Sequence, residues 1–262
     1  MSQHKIVSRE EWTAARKALM ISEKELTQAR EAVSRQRREL PWVKVDKDYV
    51  FDGPGGKVTL GDLFKGRPQL VVQHVMFAPE WDAACKSCSF WVDGFERMVP
   101  HLAARDTTMV AISRAPLAKL EAFKQRMGWT FDWVSSGEND FNYDYGVSFT
   151  QGQIDAGDAK YNYGTTPLYG PELPGISVFY RDEAGSVFHT YSTFARGLDM
   201  MNAAYHYLDL TPLGRHEEGL PYPMDWVRLR DQYQPEPVQA SCCCRSEEHT
   251  SELQSLTNLV CR

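Results

Sequence analysis

No stretch of this chain is long and apolar enough to cross a bilayer. The longest apolar run, "LVVQHVMF" from Leu70 to Phe77, falls far short of the roughly 20 residues a spanning helix needs. The opening "MSQHKIVSREEW" is polar and charged and has no apolar signal core. Positive charge is also short: 29 Lys and Arg stand against 35 Asp and Glu, a formal net charge of −6. That argues against nucleic acid or an anionic membrane as the main partner, since both need a basic surface. A phosphate-cradling loop is missing too. "GPGGK" at 53–57 lacks the strand–loop–helix spacing of a P-loop and reads as a turn. Cysteine is sparse, and one Cys-x-x-Cys stands alone, whereas a structural zinc site takes four ligands. These absences lead us to expect a cytoplasmic protein. Cysteines there are kept reduced, and a Cys-x-x-Cys is more often catalytic or metal-binding than a structural staple.

What is present is core material. Hydrophobic residues make up 42% of 262 and aromatics 12%, enough for one large domain. Composition changes abruptly at the end. Residues 234–262 read as a disordered tail, and 245–262 ("RSEEHTSELQS", "NLVCR") resemble translated sequencing-adapter read-through and are set aside. Cys242, Cys243 and Cys244 stand just before that segment.

Residues 8–39 read as two helices, because "SREE" and "SEKE" each spell a capping box: Ser8 with Glu11, Ser22 with Glu25. Leu26, Val33 and Leu40 recur every seven residues with Ala29 between them. This single apolar stripe predicts packing on the domain or on a partner. Arg35, Arg37 and Arg38 form a basic patch that Glu31 can partly pair. Pro41 ends this arm, residues 1–40, and a main domain follows over 41–233. "VFDGPGGKVTLGDLF" reads as strand, turn, strand and helical turn. The run 68–77, bounded by prolines, reads as a strand buried on both faces. We expect a helix over 82–104, a strand at 107–113, a helix at 117–128 stopped by Gly128, and a short strand in "WTFDWVSS". Residues 150–172 read as an inserted loop, 175–194 as a hairpin turning near Asp182–Gly185, and 197–210 as a closing helix. Parallel units followed by an antiparallel hairpin predict an α/β fold, a mixed sheet flanked by helices.

The chemistry centres on "AACKSCSF", where Cys85 and Cys88 sit at a strand-to-helix junction. Free N–H groups at a helix start favour a thiolate. Spacing i, i+3 places both thiols on one helix face, so Cys88 can reach a mixed disulfide at Cys85. Lys86 adds positive charge nearby, while Glu80 and Asp82 oppose it. Trp81 and Asp82 precede the pair and are candidate substrate contacts, with a helix N-cap as the alternative for Asp82. Arg114 ends a parallel strand, where open α/β sheets place ligands, and could meet an anionic substrate or form a salt bridge. His74 reads as a core histidine, His101 as a helix-end residue, and His189 as part of a polar strip with Thr190, Tyr191 and Ser192. Trp129, Phe131, Trp133, Phe141, Tyr143 and Tyr145 read as core. A thiolate metal site at Cys85 and Cys88, helped by tail cysteines, and a binding module without catalysis stay open beside redox chemistry.

"LPWVKVDKDYVFDGPGGKVTLGDLF", "CKSCSFWVDGF", "HLAARDTTMVAISRAPL", "RMGWTFDWVSS", "DFNYDYGVSF", "FHTYSTFARGLDM" and "LDLTPLGR" span most of the chain. Together they resemble the thioredoxin-like superfamily, and within it the bacterial family called domain of unknown function 899. The resemblance implies a thioredoxin-like fold and a thiol–disulfide oxidoreductase. Cys85 would attack, Cys88 would resolve, and Pro174, as a cis-proline, would position the bound thiol or peptide. It implies no organic cofactor, and a dithiol protein or a low-molecular-weight thiol as reductant. Four positions depart from the superfamily's patterns. Ala84 stands where thioredoxins carry Trp, Lys86-Ser87 where they carry Gly-Pro, and Asp82 where peroxiredoxins carry Thr or Ser. The last departure speaks against a classical peroxidase mechanism.

Overall fold

The structure, a computed structural model, describes residues 4–233; the expectations for the tail and its cysteines fall outside them. The chain opens with one helix, α1 (Arg9–Glu39), where two were expected. Ser8 caps it in a complete capping box with Glu11. The second box, Ser22 with Glu25, lies mid-helix, because no Gly or Pro interrupts residues 9–39 and the backbone N–H groups there already have helical partners.

The elements that follow are β1 (Val43–Lys44), β2 (Val50–Gly53), β3 (Gly56–Thr59) and β4 (Gln69–His74). Then come α2 (Lys86–Phe95), α3 (Val99–Ala103), β5 (Thr107–Ser113), α4 (Leu117–Met127) and β6 (Trp133–Ser135). The chain continues through α5 (Phe141–Asp144), α6 (Gln151–Ala156), β7 (Gly175–Arg181), β8 (Val187–Phe194) and α7 (Ala203–Leu208). The predicted strand–turn–strand at 50–59 forms as β2 and β3, which run into a 3₁₀ turn at Asp62–Phe64. Gly128 stops α4 in the left-handed conformation (φ 66°), as a helix-ending glycine should.

All eight strands join one sheet in the order β1-β8-β7-β4-β5-β6-β2-β3. β4 pairs parallel with β5, and β5 with β6, while β4 pairs antiparallel with β7. β7 and β8 make the expected hairpin. Period two along β5 builds both cores. Met109 and Ala111 face a cluster with Phe77, Val92, Phe95, Phe123 and Trp133, while Val110 and Ile112 face Phe51, Phe64, Leu70 and Phe141. Burying each of the Val, Leu, Ile, Phe and Met side chains among these contributes about 1.5–3 kcal/mol. The result is the expected mixed α/β sheet flanked by helices.

Two expected helices are shorter than read. The segment 82–104 begins helically only at Lys86, because residues 78–84 wind into turns whose carbonyls at Pro79 and Trp81 accept from Lys119 Nζ, each at 2.8 Å. Further on it breaks into a 3₁₀ turn (Glu96–Met98) before α3, where Pro100 sits in the first turn and can donate no N–H to the preceding one. The closing segment is a 3₁₀ stretch (Ala195–Met201) followed by the short α7. The stretch 150–172, read as loop, contains α6, opened by a capping box of Thr150 and Gln153.

Candidate active site

The cysteines follow β4, which pairs parallel with β5 and antiparallel with β7. Beyond His74 the chain continues extended, with Val75 N–H on the Ile112 carbonyl at 3.0 Å. It then doubles back, so that Cys85 N–H donates to the Met76 carbonyl at 2.9 Å. Cys85 occupies the N-cap position of α2, and its own carbonyl accepts from Ser89 N–H (2.9 Å) and Ser89 Oγ (3.0 Å). Cys88 lies one turn into the helix, in the core with Val92 and Phe95. Both thiols are free; Cys85 is half-buried and Cys88 is 1% exposed.

Their environments push them apart. Cys85 is held down to about 6, first by a hydrogen bond with the Cys88 thiol, then by the N–H groups of Cys88 and Ser87 against an opposing cost of burial. The unpaired amides of a helix start thus face the sulfur. Cys88 is driven well above the ordinary thiol range by its bond to Cys85, by burial and by the charge on Cys85. The pair therefore shares one proton, held on the inner sulfur. Lys86 is not the source of this acidity. Its Nζ donates to the Asp225 carbonyl at 2.9 Å and lies 5.8 Å from the Tyr222 ring centroid, tying the C-terminal segment to the mouth of the site.

Trp81 is half-buried against the same core as the cysteines. Asp82 is exposed, and no side chain caps α2. Arg114 Nη1 meets Glu172 Oε1 at 2.5 Å, while Ser148 Oγ donates to Glu172 Oε2 at 2.7 Å. Its guanidinium also lies over the Tyr143 ring, 4.7 Å from the centroid. This buried pair ties the stretch before β7 to the end of β5.

Pro174 corrects an expectation. Every peptide bond among the described residues is trans. The proline precedes β7 as expected, but its carbonyl accepts from Tyr161 Oη at 2.7 Å, and that same oxygen accepts from Ala195 N–H at 2.9 Å. Two hydrogen bonds through one tyrosine fix the strand's entry with an ordinary trans proline.

Sequence reading missed Tyr169 and Tyr161. Burial raises both phenols, and for Tyr169 the thiolate charge of Cys85 adds to this. Both come from the insertion between β6 and β7, whose only signal was its richness in Tyr. The polar strip read at His189 and Ser192 extends across the hairpin to the core histidine His74, a connection the sequence did not show. His74 Nε2 meets Ser177 Oγ at 2.9 Å, Ser177 Oγ meets Ser192 Oγ at 2.9 Å, and His189 Nε2 meets Ser192 Oγ at 2.7 Å. Burial holds His74 down to about 3. Among the described residues no group of three or more His, Cys, Asp or Glu is placed to hold a metal ion.

A parallel pair β4–β5, an antiparallel hairpin β7–β8 beside β4, and a Cys-x-x-Cys opening the helix after β4 make a thioredoxin-like arrangement. A family model for a bacterial protein of unknown function, DUF899, matches residues 1–233. The chain belongs to the DUF899 family. No curated protein matches this DUF899 chain by sequence. Similar solved structures include the peroxidoxin BcpB of Mycobacterium tuberculosis, 16% identical over 63% of this chain and 94% of its own (TM-score 0.41). Peroxiredoxin Q of Xanthomonas campestris is 16% identical over 61% and 89% (TM-score 0.41). A yeast mitochondrial 1-Cys peroxiredoxin is 14% identical over 62% and 74% (TM-score 0.38).

Proposed function

We propose that this DUF899 protein is a thiol–disulfide oxidoreductase. One observation carries the reading: a half-buried Cys85, acidic enough to be largely thiolate at neutral pH, is paired with a fully buried Cys88 that keeps the proton.

Each group then has a defined part. Cys85 Sγ attacks one sulfur of a substrate disulfide; the substrate S–S bond breaks, and the other half leaves as a thiolate. The charge that held the Cys88 proton disappears as the mixed disulfide forms. Cys88 then loses its proton more easily, and the Met76 N–H, 3.5 Å from its sulfur, donates to the thiolate that forms. Cys88 Sγ attacks Cys85 Sγ, the mixed disulfide breaks, and the second substrate half departs as thiolate. The substrate gains two electrons and the protein ends with a Cys85–Cys88 disulfide. A dithiol protein or a low-molecular-weight thiol would return the electrons, with no organic cofactor. Trp81 and Asp82, which precede the pair, and Tyr169 and Tyr222 are the candidate substrate contacts, with Pro174 at the entry of β7 as the candidate positioning residue.

The test is titration with an aromatic disulfide, followed by peptide mapping. The wild type should release two equivalents of aryl thiol and join Cys85 to Cys88. Cys88→Ala should release one and keep the aryl group on Cys85. Labelling that ignores Cys85, or a wild type that stops at the adduct, would overturn the reading.

A further inference from the structure

The N-terminal helix has apolar surface that its own chain does not cover. α1 runs 31 residues with none buried, a rod of about 46 Å at 1.5 Å per residue. Its described side-chain ties to the body are at its C-terminal end, where Arg37 lies over the Tyr191 ring (5.4 Å to the centroid) and its Nη2 donates to Met200 Sδ at 3.7 Å. The seven-residue stripe read from Leu26, Val33 and Leu40 extends backwards through Leu19 to Trp12. These five are 59, 43, 43, 55 and 50% exposed in that order. Between them fall Ala15, Ser22, Ala29 and Gln36, three of them small.

Apolar residues every seven, with a second row three or four positions on, are the seam of a coiled coil. A helix supported by propensity alone is marginal in water, and most helical stability in proteins comes from packing an apolar face. The body of this chain does not cover the stripe, and N-terminal to the patch of Arg35, Arg37 and Arg38 acidic and basic residues are interspersed along α1.

We propose that two copies of this chain associate through α1, parallel and in register, with Trp12, Leu19, Leu26, Val33 and Leu40 forming the shared seam. The flanking charges fit that register. Residues five apart on opposite helices become neighbours at the seam's edges. Glu25 then faces Arg30 of the second copy, and neither makes an ion pair among the described residues. Glu11 faces Arg16, Ala18 faces Glu23, and Ala32 faces Arg37, so no like-charge pair arises. The small residues of the second row let the helices approach closely. The two bodies then sit at the same end, with each Cys85–Cys88 pair on its own copy.

Sedimentation equilibrium on the full chain tests this. The wild type should have twice the chain mass at micromolar concentration. The Leu19→Glu/Leu26→Glu variant should be monomeric, its dimer dissociation constant raised by at least about a hundredfold, because it places charge in an apolar seam. Ile21→Glu alters an equally exposed residue (62%) off the stripe and should leave the dimer intact. An unchanged near-ultraviolet spectrum would show that the body still folds. Glu25→Arg should weaken the dimer about tenfold, and adding Arg30→Glu should restore it, which an antiparallel pairing would not reproduce. A monomeric wild type would overturn the proposal, as would binding of that monomer to phosphatidylglycerol vesicles or a seam variant that stays dimeric.

Discussion

The amide of Met76 points at the sulfur of Cys88 from 3.5 Å, and the Met76 carbonyl accepts the amide of Cys85. One residue beyond the central strand thus holds both halves of the pair, fixing the outer cysteine's backbone and offering a donor to the inner sulfur.

The acidity of Cys85 should therefore depend on its sibling. Cys88→Ala removes the largest contribution, leaving the Ser87 and residue-88 amides against the cost of burial. The midpoint of Cys85 alkylation should rise from about 6 toward the ordinary thiol value. Alkylation at pH 6.5 should slow about threefold or more as the thiolate fraction falls. Rates measured by mass spectrometry of the Cys85 peptide from pH 5 to 9 give the midpoint. An unchanged profile would mean that the Cys88 thiol does not donate.

Acid should weaken the fold through His74. It is buried neutral, its pKa depressed from 6.5 to about 3. Below 6.5 the unfolded chain takes up a proton that the native chain refuses. The stability this represents is complete above pH 6.5 and is lost as pH falls toward 3, at up to about 1.4 kcal/mol per pH unit. Half-buried His189, whose pKa burial also lowers, acts in the same direction. Urea unfolding at pH 7, 6, 5 and 4 should show the decline, and His74→Gln should flatten it. Parallel declines in the two proteins would remove His74 from the account.

Arg114→Ala should cost about 3–5 kcal/mol, because it leaves Glu172 buried without its cation; the Glu172 side chain is 3% exposed. Adding Glu172→Gln should recover most of the loss, as a neutral group tolerates that site. Denaturant midpoints of the two singles and the double supply the coupling. Additive losses would mean that the pair is not a unit.

Gly175 lies opposite Phe194 in the hairpin, and a methyl added there would meet the Phe194 ring at 2.8 Å and Val147 at 2.9 Å. Gly175→Ala should therefore cost about 1–3 kcal/mol as overpacking. Because His74 is its partner on β4, the change should also disturb the strand that carries the cysteines. Thermal unfolding and the Cys85 alkylation rate together measure both effects.

The sheet was largely legible. Val71, Val72, Val110, Ala111 and Ile112 sit in short apolar runs of the kind that strands buried on both faces carry. Asp182–Gly185 spelled the hairpin turn, and Gly128 spelled a helix end. Boundaries depending on distant partners were not legible. Ser22 and Glu25 spell a cap that α1 ignores, because a local spelling cannot report that the helix continues on both sides. Residues 82–85 read as helix because the turns that lead into α2 are held by Lys119, some forty positions from Pro79 and Trp81. The cysteines announced themselves by spacing, but their unequal acidity did not, since it comes from hydrogen-bond geometry. Arg114 showed its place at a strand end, not its partner Glu172. Tyr161 lay in a stretch that only topology could bring to Pro174.

Ser87's hydroxyl makes the smallest contribution to Cys85, and Lys86 is turned toward Asp225. The acidity is thus written mainly in the path of the main chain and in one sibling thiol, both indifferent to which side chains fill positions 86 and 87. Those two residues are free to be exchanged for the sake of what approaches the sulfur while its reactivity stays constant. A thiolate maintained by amides in van der Waals contact is also nearly deaf to ionic strength. A protein built this way can serve partners of very different surface charge with the same chemistry.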